Sequence, residues 1–224
     1  MEKSIVLKNG IKEFNLKNEK IIALDNVNLE IRPGKMYVIM GHSGSGKSTL
    51  IQILGLLDNL TSGDLYINSE NTSNISEDKK AEIRMKEIGF VFQSFYLNPK
   101  LTAIENIMLP MYINDSILKK DRKSLALKLL DNFGLHNRMN HYPKELSGGE
   151  QQRIAIARAL ANNPTFILAD EPTGNLDVKN EKIVYETLKN LANNGKAIVV
   201  VSHNENIKKY ADEIWYMDSG KLRK

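Results

Sequence analysis

The chain has 224 residues, 42% of them hydrophobic and 26% charged, with a formal net charge of +4. Those are ordinary values for a soluble globular protein of one large domain or two small ones, and so mild a charge calls for no nucleic-acid partner. The absence of cysteine excludes a disulfide framework and a thiolate metal centre. No apolar run approaches the ~20 residues of a membrane-spanning helix, and "MEKSIVLKNG" lacks the apolar centre of a secretory signal, so a cytosolic protein is expected.

The first clear element is a half-buried strand, in which Val27, Leu29 and Ile31 recur at period two. A continuous apolar strand, "MYVIM" (Met36 to Met40), then runs into "GHSGSGKST" (Gly41 to Thr49). The spacing G-x-x-x-x-G-K-[ST] describes a loop whose backbone N–H groups converge on an anion. Gly41, Gly44 and Gly46 allow close backbone approach, and the following "KSTLIQILGLL" predicts a helix with its positive end aimed at the same point. Lys47 adds a charge for β- and γ-phosphates, and the Ser48 hydroxyl suits Mg²⁺. Ser43, Ser45 and Thr49 complete the candidate nucleotide loop.

Further along, "DLYIN" and "IGFVFQ" read as short strands, the second delivering Gln93 at its end. Helical patterns lie around Ser124–Asn132, Gly149–Ala161 and Asn180–Ala192. At "LSGGE" (Leu146 to Glu150), Ser147 and Glu150 make a capping box. The glycines there leave the first N–H groups bare, so this is a second anion-binding helix start. It is either a mere cap or a clamp for another nucleotide.

"FILADEP" is an apolar strand that delivers Asp170 and Glu171 to its exit, the first suited to Mg²⁺ and the second to polarising a water. "AIVVVSH" likewise delivers His203, and "MDSGKLRK" predicts a hairpin turning at Ser219–Gly220. The expected architecture is an α/β, P-loop core with a mostly parallel sheet. It carries an antiparallel β portion near the N-terminus and a helical insert over about residues 95–160, within a single domain over 1–224.

In this order the motifs resemble those of ATP-binding-cassette (ABC) ATPases, over nearly the whole chain. They are a Walker A loop at Gly41–Thr49, a Q-loop glutamine at Gln93 and the signature at Leu146–Glu150. Walker B follows at Phe166–Glu171, then a D-loop "GNLD" at Gly174–Asp177 and a switch histidine at His203. The resemblance implies the ATP-binding and ATP-hydrolysing subunit of a bacterial ABC transporter, with ATP and Mg²⁺ bound. Glu171, His203 and Gln93 would be catalytic, and Ser48, Gln93 and Asp170 would hold the metal. It also implies an ATP-dependent homodimer. There the Walker A loop of one copy and Ser147, Gly148, Gly149 and Glu150 of the other enclose each ATP, with Asp177 nearby.

Two positions depart from the family's commonest pattern. The signature ends in Glu150 rather than glutamine, and the adenine-stacking aromatic is Phe14, in "IKEF", rather than tyrosine. "GLLDNLTSGDLYI" and "QSFYLNPKLTAIENIMLP" resemble the branch that includes macrolide and antimicrobial-peptide exporters, lipoprotein-release systems and a cell-division regulator. That branch implies an integral membrane partner docking near Ser94–Pro99, with this chain on the inner face of the membrane. The alternative it leaves open is a regulatory or force-transmitting ATPase that moves no solute.

Overall fold

The computed structural model describes residues 3–16 and 19–224. Strands β1 (Ile5–Leu16), β2 (Glu19–Ile31), β4 (Ser62–Ile67) and β5 (Glu70–Asn71) form an antiparallel sheet of order β2-β1-β4-β5. The alternation read at Val27, Leu29 and Ile31 is the buried face of β2; its intervening Asn28 and Glu30 are exposed. The period fails earlier in the strand, where Ile21 and Ile22 stay exposed.

The second sheet holds β3 (Met36–Met40), β6 (Ile88–Phe92), β7 (Phe166–Asp170), β8 (Ala197–Ser202), β9 (Glu213–Asp218) and β10 (Lys221–Arg223). Its order is β10-β9-β3-β8-β7-β6, parallel except for β10. The continuous apolar runs of β3, β7 and β8 are buried on both faces, as central parallel strands require. Alternate side chains divide between two cores. Tyr37 and Ile39 join Leu50 and the antiparallel sheet, while Met36, Val38 and Met40 join Val184, Tyr185 and Leu188. The expected turn at Ser219–Gly220 connects β9 to β10.

Among the described residues, six α-helices accompany the sheets: α1 (Lys47–Leu54), α2 (Glu77–Glu87), α3 (Ala103–Met108), α4 (Lys119–Asn132), α5 (Gly148–Ala159) and α6 (Val178–Asn193). Helix α1 is shorter than the apolar run predicted, because Gly55 ends it against β6; a Cβ there would lie 2.1 Å from the Phe90 ring. Helix α4 starts five residues before the apolar pattern does, in the polar turn that opens with Lys119. Helices α3, α4 and α5 pack through Ile104, Ile107, Ala126, Leu130 and Ile154 into a third core, between β6 and β7 in the chain. Every loop that leaves the carboxyl ends of β3, β6, β7 and β8 therefore opens on one rim of the parallel sheet, where ligands of open α/β folds sit.

Candidate active site

The turn after β3 is held in place by its glycines. Gly46 lies at φ 107°, and a Cβ on it would stand 2.3 Å from the Ala23 carbonyl; one on Gly41 would stand 2.3 Å from that of Met217. The turn is thus pressed between β2 and β9, where no side chain fits. Among the described residues no side chain caps α1, so its first N–H groups face the cleft without a competing acceptor. Lys47 is almost fully buried, and its Nζ donates to Gly41 O (2.7 Å) and His42 O (2.8 Å). Those bonds lay its charge along the rim of the loop. Ser43 is exposed, whereas Ser45 is buried behind the turn.

Asp170 arrives on β7 half-buried, its carboxyl beside the Ser48 hydroxyl. Loss of hydration raises its pKa, and the Glu171 charge adds to this, against the Ser48 hydrogen bond and the Lys47 charge. Glu171 follows in a left-handed conformation, φ 46°. That strained turn is tied down by its N–H donating to Val201 O at 3.0 Å. Both carboxylate oxygens are engaged. Oε1 lies 2.8 Å from His203 Nδ1, and Oε2 accepts from Ser202 Oγ at 3.1 Å. A carboxylate is an acceptor only, so Nδ1 carries the proton and His203 Nε2 is left facing outward. Gln93 packs its side-chain amide on Gly174, where a Cβ would come within 2.6 Å of Nε2, and its backbone carbonyl accepts from Asn175 Nδ2 at 3.1 Å.

These groups line a single cleft of about 890 Å³. Its lining joins the polar Lys47, Ser48, Thr49, Asp170, Glu171 and His203 to the apolar Phe14, Ile21 and Ile22 of the antiparallel sheet. Phe14 is 39% exposed on β1, opposite Ile21, with Lys12 Nζ 4.9 Å from its ring centroid. The arrangement fits a nucleoside triphosphate, with an aromatic face for the base and a cationic, N–H-rich end for phosphates. The oxygen donors of Ser48, Asp170 and Gln93 also suit a hard cation such as Mg²⁺.

The signature is elsewhere. Ser147, Gly148, Gly149 and Glu150 do not line this cleft, and neither does Asp177. The expected capping box is present at the start of α5. Ser147 Oγ accepts from Glu150 N at 3.3 Å, and Glu150 Oε2 accepts from Ser147 N at 2.9 Å. The other oxygen, Oε1, accepts from Arg138 Nε at 2.8 Å. That guanidinium, with the Ser147 bonds, holds the Glu150 carboxyl down at a pKa of about 2 despite partial burial. Asp177 spends its carboxylate on capping α6, accepting from Asn180 N (2.9 Å) and Nδ2 (2.7 Å).

Arg138 and Ser202 join the expected site residues. Ser202 carried a readable signal, a polar residue ending an apolar strand. Arg138 had none, because a short 3-10 turn twelve residues upstream brings it to Glu150.

Residues 24–174 match the family described as "ABC transporter". An uncharacterized ABC transporter ATP-binding protein of Methanocaldococcus jannaschii, MJ1508, is 49% identical over 218 residues, 97% of each chain. The lipoprotein-releasing system ATP-binding protein LolD of Francisella tularensis is 43% identical, over 96% of this chain and 94% of its own. The dimeric, post-hydrolysis structure of the cassette MJ0796 bound to ADP and Pi superposes with a TM-score of 0.89 at 44% identity, covering 98% of this chain and 97% of that one. With the phosphate loop, the strand-end acids and the signature in place, the chain belongs to the ABC transporter family, as one of its ATP-binding, ATP-hydrolysing subunits.

Proposed function

We propose that the cleft binds ATP with the adenine on Phe14 and the phosphates over Gly41–Thr49, and that a second copy closes the site with Ser147–Glu150. The observation that carries this reading is that the paired Glu171 and His203 line the same cleft as Lys47 and Phe14. Lys47 and the first turn of α1 hold the β- and γ-phosphates. Ser48, Asp170 and Gln93 hold Mg²⁺, which when bound neutralises phosphate charge. Glu171, fixed by Ser202 and His203, takes the proton of the attacking water, and His203 holds that carboxylate beside the γ-phosphate. The relative structure bound to ADP and Pi is a dimer, which supports closure by a second copy, with Asp177 at the joint.

The membrane-facing contact lies just beyond Gln93. Arg158 Nη2 donates to Phe95 O (2.8 Å), and Nη1 to Tyr96 O, fixing a segment that leaves Tyr96 69% exposed. Tyr96 borders a cleft of about 500 Å³ with Leu57, Phe90, Pro110 and Ile113. An exposed apolar cleft of that size suits a protein partner, and a segment of a separate integral membrane subunit is the occupant. The chain then sits on the inner face of the membrane, and the similarity to LolD supports a lipid-bearing cargo.

The test is Glu171→Gln, which keeps shape and removes the base. It should give an ATP-dependent dimer stable to gel filtration, whereas the unaltered protein returns to monomer once its ATP is spent. A Glu171→Gln protein that stays monomeric in saturating ATP overturns the enclosed site.

A further inference from the structure

Helix α6 begins at Asp177, and one turn later carries Glu181, a carboxylate only 9% exposed. Its oxygens meet the segment just after the switch histidine. Oε2 accepts from Asn204 Nδ2 at 2.5 Å, and Oε1 from Asn206 Nδ2 at 3.0 Å. Asn204 is itself held on both sides, its N–H donating to Ser202 Oγ (3.1 Å) and its Oδ1 accepting from Asn206 N (2.9 Å). Ser202 Oγ in turn donates to Glu171. A continuous set of hydrogen bonds thus runs from α6 through Glu181 and Asn204 to the residues on either side of His203.

The same first turn of α6 also faces the signature. A Cβ on Gly149 would lie 2.0 Å from Asn180 Oδ1, so α5 and α6 are in contact at their starts. Gly148 lies beside Leu176 and Asn175, and Val178 is 78% exposed. A copy whose nucleotide reaches Ser147–Gly149 therefore also reaches the turn that starts α6.

We infer that Glu181 is a positioning residue for His203: it transmits the seating of a second copy on the start of α6 to the histidine that faces the attacking water. This rests on the catalytic reading of Glu171 and His203. The first turn of α6, which carries both contacts, is held to the core by Val184, Tyr185 and Leu188 of the following turns. Glu181 joins α6 to the histidine segment alongside Tyr185, which bonds Ser202, and without Glu181 the Asn204 and Asn206 amides lose their shared acceptor. His203 is then free to leave Glu171, and turnover falls while ATP affinity does not.

The experiment measures steady-state Mg-ATP hydrolysis by the full chain. Glu181→Ala should lower kcat about tenfold, the scale of a misplaced catalytic group, and leave KM within about twofold. Glu181→Gln keeps the size and one acceptor, and should recover part of that loss. Asn206→Ala removes one bond at an exposed position and should cost a smaller factor, about threefold. In a His203→Ala background, measured by single turnover, neither Glu181→Ala nor Asn206→Ala should lower the rate further. Wild-type kcat in Glu181→Ala beside an inactive His203→Ala overturns the link alone, as do losses that multiply in the double variant. Full activity in His203→Ala overturns the catalytic reading and the link together.

Discussion

Helices α1 and α5 both start at glycine-rich turns, yet their ends are finished in opposite ways. Helix α1 starts at Gly46, with no side-chain cap, and its first turn is Lys47, Ser48 and Thr49. Helix α5 starts at Ser147, with a complete capping box and an acid, Glu150, in its first turn. An uncapped, cationic start takes the full charge of a triphosphate from its own chain. A capped start leaves only the Gly148 and Gly149 N–H groups for a ligand. Its acid is balanced by Arg138. On the proposed reading, the first end holds a nucleotide alone and the second completes a site already occupied.

That contrast breaks first at Lys47. Replacing it by alanine should reduce hydrolysis by about a hundredfold or more, the effect of removing one preorganised donor from developing charge. Near-normal ATPase activity in Lys47→Ala would mean that α1 holds phosphate by its N–H groups alone. Ser147→Arg tests the other end. It should leave nucleotide binding intact, because the protein's own cleft is untouched. It should abolish ATP-driven dimerisation in the Glu171→Gln background, since the arginine fills the space of the other copy's ATP. Continued dimerisation in gel filtration would reduce α5 to a cap and erase the comparison.

Local chemistry explains why the two starts were legible in the sequence. The phosphate loop and the Ser147–Glu150 box are fixed by spacings of a few residues, which backbone geometry converts directly into position. Strand β1 was not legible. Its pairing with β2 shifts register between Leu7 and Gly10 and again on to Glu13, so no period of two survives. Helix α2 buries only Lys80 and Ile83, which leaves no apolar stripe to read. Helix α3 opens on a Thr102–Glu105 capping box but is only six residues long and has no periodic run to read. Arg138 and Glu181 escaped for a different reason. Each acts on a residue twelve or more positions away, and only the packing of α5 or α6 makes those pairs.

The smallest expected effect lies at Glu150 itself. Its carboxylate turns to the Ser147 N–H and to Arg138, so the acid faces its own helix start and a neighbouring cation. Glutamine can close the same box, and Glu150→Gln should change ATPase activity by less than about threefold. Arg138→Ala should do more than Glu150→Gln, because it leaves the acid without its cation beside the N–H groups meant for the other copy's phosphates. If so, Arg138→Ala combined with Glu150→Gln should recover most of the dimerisation that Arg138→Ala alone loses. The same pair sets an acid limit. The Glu150 pKa is depressed from 4.5 to about 2 in the folded protein. Its contribution to stability is therefore complete above the unfolded value and lost as pH falls from there through about 2. Thermal melts should show the gap between wild type and Glu150→Gln narrowing across that window and constant above it. A Glu150→Gln protein with a large rate increase at neutral pH would show instead that the carboxylate faces the γ-phosphate, and that α5 opposes the charge it is meant to receive.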